Sequence, residues 1–178
     1  NSPEKRRLDR KSVCDVLVRQ NMAETSIRLF RPDDSASLAQ IFFDAVREGS
    51  KNYYNNEQRR AWAPKAPDGP DWLARLSSQV VYVAEQDDSI AGFMTLQSDG
   101  CIDLAFVVPD QIGRGVAYQL YAAILAHAKS TGSDKLTAHA SHLARPFFER
   151  QGWTVIKEQS VVVRDVSLTN FVMEKVLD

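Results

Sequence analysis

Hydrophobic and polar positions divide the chain into segments of two periods. From Ser26 to Phe30 the run SIRLF alternates apolar and polar, which predicts a half-buried strand. Beyond Pro32 the period lengthens: Leu38, Ile41, Phe42, Ala45 and Val46 recur at helical spacing, and Asp33 and Asp34 stand where N-caps are wanted. Asn55 followed by Gln58 has the form of a capping box, opening a short helix through Trp62 that the run APKAPDGP stops. A further short helix carries Trp72, Leu73 and Leu76. Both short helices precede the main sheet, which suits a lid or wall.

The middle of the chain is a series of strands. VVYVAE, IAGFMTLQ and CIDLAFVV are separated by turns at Asp87-Asp88 and Asp99-Gly100, predicting an antiparallel meander. After Pro109 come the loop DQIGRGV and an Ala-rich helix with Val116, Leu120, Ala123, Ile124 and His127 on one face, ended by Gly132. KLTAHA then returns parallel to CIDLAFVV through that helical crossover. A short helix from about Leu143 to Gln151 follows, and TVIKEQSVVV and SLTNFVMEKV close the chain as strands. The expected fold class is α/β: a mixed, mostly antiparallel sheet of about seven strands flanked by about four helices, not a series of βαβ units.

Length and composition narrow the function. A chain of 178 residues fits one domain. With 44% hydrophobic and 25% charged residues, disorder and coiled coil are poor readings. The formal net charge of -1 gives no field to attract nucleic acid or an anionic membrane, so neither is an expected partner. Cys14 and Cys101 are too few for a disulfide framework and lack zinc-ligand spacing, so a reducing cytoplasm and no metal are expected. No apolar stretch would span a bilayer, and the first residues do not read as a secretion signal. Residues 1–22 are basic and read as an appendage to a domain at 23–178, itself a monomer or homodimer.

The segment from Phe106 to Ala117, FVVPDQIGRGVA, carries the most chemistry. A strand ends, a loop with two glycines follows and a helix begins, which aims free backbone N–H groups and the positive helix end at one spot. Phosphates bind well there. Gly113 and Gly115 let backbone approach an anion without a Cβ in the way, and Arg114 adds a charge. A dinucleotide fingerprint would need a third small residue where Tyr118 stands, and the P-loop pattern is absent.

The segment resembles the pyrophosphate-binding motif of the GNAT superfamily of N-acetyltransferases, [QR]-x-x-G-x-[GA], with Ile112 through Ala117 in its register and Ile112 in place of Gln or Arg. Downstream, Ala144 to Trp153 looks like that family's fourth helix, and AWAP, IDLAFVVP, PFFER and TNFVMEK look most like the bacterial YafP-like branch. The resemblance implies acetyl-CoA held between two splayed parallel strands, Ile102–Val108 and Lys135–Ala140. It implies a pantetheine arm against the backbone near Phe106, Val107 and Val108, and a pyrophosphate on Gly113, Arg114, Gly115, Val116 and Ala117.

The reaction so implied is attack of an amine on a thioester. An alkyl amine has a reference pKa of about 10.4, so a proton must be taken from it. Bases in the family lie on the fourth strand, where Asp103 is the only carboxylate and shares a face with Cys101. Cys101 reads as a small buried residue. Phe148 stands where the family carries a Tyr that protonates the leaving thiolate, and a phenyl ring cannot donate. Tyr53, Tyr54 and Trp62 fall on the segment from which the family builds its acceptor site. His139 could reach the site from the second splayed strand, and His127 reads as packed. Two functions are therefore expected: an acetyl-CoA-dependent N-acetyltransferase acting directly on an amine of a small molecule or protein, or an acyl-CoA-binding module with little catalysis.

Overall fold

The computed structural model describes residues 24–178, so the reading of residues 1–22 lies outside the described residues. Seven strands form one sheet: β1 (Thr25–Leu29), β2 (Val80–Gln86), β3 (Ser89–Leu96), β4 (Cys101–Val107), β5 (Lys135–Ala140), β6 (Thr154–Val163) and β7 (Val166–Val176). Their order is β1-β2-β3-β4-β5-β7-β6, and β4 with β5 is the parallel pair. Five helices among the described residues, one at each helical segment that the sequence predicts, accompany them: α1 (Ser35–Asp44), α2 (Asn56–Trp62), α3 (Gly69–Ser77), α4 (Val116–Ser130) and α5 (Arg145–Arg150). None among the described residues is long and apolar enough to cross a membrane.

The sheet is covered on both faces. Leu38, Ile41, Trp72 and Leu76 of α1 and α3 pack with Val81, Val83, Phe93 and Leu104 on one side. Leu120, Tyr121, Ile124 and Ala128 of α4 pack with Met94, Ile102, Leu136 and Met173 on the other. That is why β3 is buried from Ala91 to Leu96, with no alternation.

Two local expectations change and one holds. The buried stripe of α4 contains Tyr121 and Ala128, while His127 sits at its edge, ring against Tyr82 at 6.3 Å. The helix is rotated slightly from the face predicted, because the Tyr121 hydroxyl finds a buried donor in Trp153 Nε1 at 3.0 Å. Asn55 and Gln58 do form a reciprocal capping box at 2.8 and 3.0 Å. Asp34 does not cap α1: its carboxylate accepts from the Arg31 amide at 2.7 Å and from Arg28 at 2.8 and 3.0 Å. Arg28 in turn donates to Glu85 on β2 at 2.5 Å, so one guanidinium ties the entry to α1 to two neighbouring strands.

Candidate active site

The site begins with a break in the sheet. β4 and β5 pair only at Cys101 with Thr137 and Ile102 with Ala138, after which the strands diverge. On its other side β4 stays bonded to β3, but Met94 pairs with Ala105 and Leu96 with Ile102. Two residues, Asp103 and Leu104, therefore stand opposite Thr95, which is a β-bulge. The buried Thr95 hydroxyl accepts the Leu104 amide at 3.0 Å and closes the bulge. Its effect is to change which way side chains point: Asp103, Leu104 and Phe106 all come to the α3 side.

Backbone alternation decides what the gap offers. Val108 gives its N–H to Ala91 and its carbonyl accepts from Gln111, at 2.8 and 2.9 Å, so its backbone is spent within the chain. Phe106, two residues earlier, also faces β3. The polar groups of Ala105 and Val107 turn into the opening.

Two cavities reach this opening. One, of about 420 Å³, lies on the glycine-loop side and is lined by Ala105, Phe106, Val107, Gly113, Gly115 and Ala117, with Phe147, Phe148 and Arg150 across from them. Gly113 and Gly115 have φ of 81° and 86°, and a Cβ on either would meet no atom within 4 Å. These glycines serve a left-handed backbone beside open space, not a tight packing contact. No side chain caps α4, leaving the first-turn amides of Val116, Ala117 and Tyr118 free of partners among the described residues. The Val116 side chain is core, so only its amide is on offer, and Arg114 is exposed beside the loop. Free amides, a positive helix end and an uncrowded loop fit a phosphate-bearing ligand.

The second cavity, of about 510 Å³, lies on the α3 side. Asp103 lines it, with its carboxylate bonded to Arg75 Nε and Nη2 at 2.9 Å each and to Gln79 Nε2 at 2.8 Å. Burial pushes the Asp103 carboxyl up, but the hydrogen bonds from Arg75 and Gln79 and the Arg75 charge outweigh it, leaving the group below the ordinary carboxylate range. His139 lines the same cavity, one step beyond the last paired position of β5 and so in register with Asp103. Cys101 lines neither cavity, and burial pushes its thiol up, away from the reactive thiolate.

The aromatic residues divide. Trp62 lines both cavities. Tyr54 lines the α3-side cavity with its ring only: the side chain is buried, and its hydroxyl donates to the Thr169 carbonyl at 2.7 Å while accepting the His142 amide at 3.0 Å. Tyr53, half exposed, stacks on His142 and lines the loop-side cavity instead. Phe148 is 2% exposed, packs on Trp153 at 4.7 Å, and lines both cavities. Arg75, Arg164 and Asn170 were not indicated by the sequence, because each reaches its wall from an element distant in the chain from the glycine loop.

Comparison with known proteins gives the family and the fold. The model of the acetyltransferase (GNAT) domain family matches residues 51–175. The N-acetyltransferase YafP of Escherichia coli K12 is 34% identical over 152 residues, covering 85% of this chain and 96% of that protein. A GCN5-related N-acetyltransferase structure from Rhodopseudomonas palustris superposes with a TM-score of 0.83 at 33% identity, covering 88% and 98% of the two chains. The fold also matches the Thermoplasma acidophilum PaiA N-acetyltransferase in complex with coenzyme A, with a TM-score of 0.71, 15% identity and coverage of 86% and 99%.

Proposed function

The chain belongs to the GNAT family of acetyltransferases, and we propose that it transfers an acetyl group directly from acetyl-CoA to the amine of a small molecule or protein. The observation that carries this reading is the meeting of two cavities at Ala105, Phe106, Ser141, Ala144 and Phe148. One side suits a pyrophosphate and the other is free to hold an acceptor. The coenzyme A of the Thermoplasma structure supports acetyl-CoA as cosubstrate here.

In this reading the pyrophosphate lies on the amides from Gly113 to Ala117, and the pantetheine arm runs along the Ala105 and Val107 backbone. An N–H in that gap holds the thioester carbonyl as it gains negative charge. The acceptor enters as an ammonium ion and first loses one proton. Its nitrogen lone pair then forms the N–C bond, the C–S bond breaks, and the electron pair leaves on the coenzyme A sulfur. The second nitrogen proton is released and the thiolate takes one from solvent, giving amide, thiol and one net proton. A reference thiol pKa of about 8.5 makes the thiolate a tolerable leaving group without the hydroxyl that Phe148 lacks.

Asp103 receives the first proton through water. Being held below the usual range by Arg75 and Gln79, it is ionised at neutral pH and passes the proton on rather than keeping it. Asp103→Asn is expected to keep the shape while lowering kcat/KM for the acceptor about 10²–10⁴-fold, with the defect shrinking at high pH where the amine is already neutral. Parental rates in that variant would move the base to His139. Phe148 favours a second reading, an acyl-CoA-binding module. Tight coenzyme binding without thiol release across an amine panel would select it.

A further inference from the structure

Resting on the transfer reading, we infer that the acceptor is a small amine that also carries a carboxylate on an aromatic or apolar frame, and is not a polyamine. Three cations line the α3-side cavity, Lys65, Arg75 and Arg164, against one carboxylate, Asp103. Arg75 and Asp103 neutralise one another through two hydrogen bonds. That leaves Lys65 and Arg164 as an excess of positive charge, which repels a second ammonium group and attracts an anion. Lys65 does pair with Asp68 at 3.0 Å, but with side chains 73% and 75% exposed such a pair holds neither partner firmly.

Arg164 is the more telling residue. It occupies the first position of the Arg164-Asp165 turn joining β6 to β7, with φ of 47° followed by 64°. That two-residue turn ordinarily takes Asn-Gly, because a β-carbon is strained there. Arginine stands at this position with its guanidinium folded back to the Ala61 carbonyl at 2.7 Å, which brings the hairpin tip to the cavity wall. One of five donors is used by that bond, and the planar group that remains matches a carboxylate.

The rest of the wall agrees. Phe42, Trp62, Trp72 and Phe106 supply an aromatic lining, with Phe42 and Phe106 edge to face at 5.0 Å. Asn170 lines the same space and adds a polar side chain to the wall. A volume of about 510 Å³ suits a molecule of amino-acid or dipeptide size.

Thiol release from acetyl-CoA and calorimetric titration of coenzyme A-loaded protein, each with L-phenylalanine, L-phenylalaninamide, 2-phenylethylamine and spermidine, test the inference. L-Phenylalanine should exceed the amide and the phenylethylamine at least tenfold in kcat/KM and in affinity, with spermidine poorest. Arg164→Gly, which suits the positive φ and so folds, should reduce the phenylalanine-to-amide ratio to within threefold; Lys65→Met should reduce it less. Carboxylate-selective binding without turnover would overturn the transfer reading, and with it the role of acceptor, while upholding the preference of this cavity for an amine that carries a carboxylate. Turnover with no carboxylate preference, preference for spermidine, an unchanged ratio in Arg164→Gly, or binding of none of the four would overturn it.

Discussion

At the residue scale, a glycine is defined by its surroundings more than by its motif. Gly115 and Gly132 share a positive φ, 86° and 76°, and at both a Cβ would meet nothing within 4 Å. Gly115→Val and Gly132→Val should therefore lose similar stability, about 1–2 kcal/mol from left-handed strain. Only Gly115→Val puts a side chain where phosphate oxygens would approach. Calorimetric titration with coenzyme A should show an affinity loss of tenfold or more for Gly115→Val and little change for Gly132→Val. Phe148→Tyr is expected to leave kcat within about threefold at neutral pH, since a thiolate of reference pKa near 8.5 departs unaided. A tenfold rise in stopped-flow turnover would instead show that leaving-group protonation limits the rate.

At the element scale, the bulge in β4 is what makes a strand into an active-site wall. Asp103 and Leu104 oppose the single residue Thr95, and the Thr95 hydroxyl replaces the carbonyl that a regular ladder would have aimed at the Leu104 amide. Thr95→Val keeps the volume but leaves that buried N–H without an acceptor, at a cost of about 1–3 kcal/mol. Denaturant unfolding should register this loss, and acetyl transfer should fall further than stability does, because Asp103 loses its aim. Thr95→Ser retains the acceptor and is expected to recover most of the activity. The neighbouring gap has a related origin: a parallel pair that bonds at two positions only leaves the Ala105 and Val107 backbone groups facing a cavity.

At the scale of the whole molecule, ion pairing couples the fold to pH. Hydrogen bonding from Arg28 holds the Asp34 carboxyl below its ordinary value despite burial, with the Arg31 amide assisting. A depressed native pKa means that this contribution is complete above the unfolded value of about 3.9 and is lost as pH falls through the native value. Asp34→Asn should cost about 1–3 kcal/mol near neutral pH, and thermal melts of the two proteins should converge in acid. Removing residues 1–22 is expected to leave coenzyme affinity and melting temperature nearly intact, since among the described residues the sheet opens at Thr25. Element order, the two-glycine loop before α4 and the family were legible from the sequence, because period, capping residues and turn residues act over a few positions along the chain. The Asn55–Gln58 cap and the start of α4 at Val116 are examples. Which residues share a wall was not legible. Arg75 on Asp103, Arg164 on Ala61 and the hydroxyl of Tyr54 between Thr169 and His142 join residues far apart in the chain. Sequence spacing carries no record of such meetings. They follow from a bulge that reorients β4, two strands that separate and a hairpin that folds back, and those depend on how the whole sheet packs.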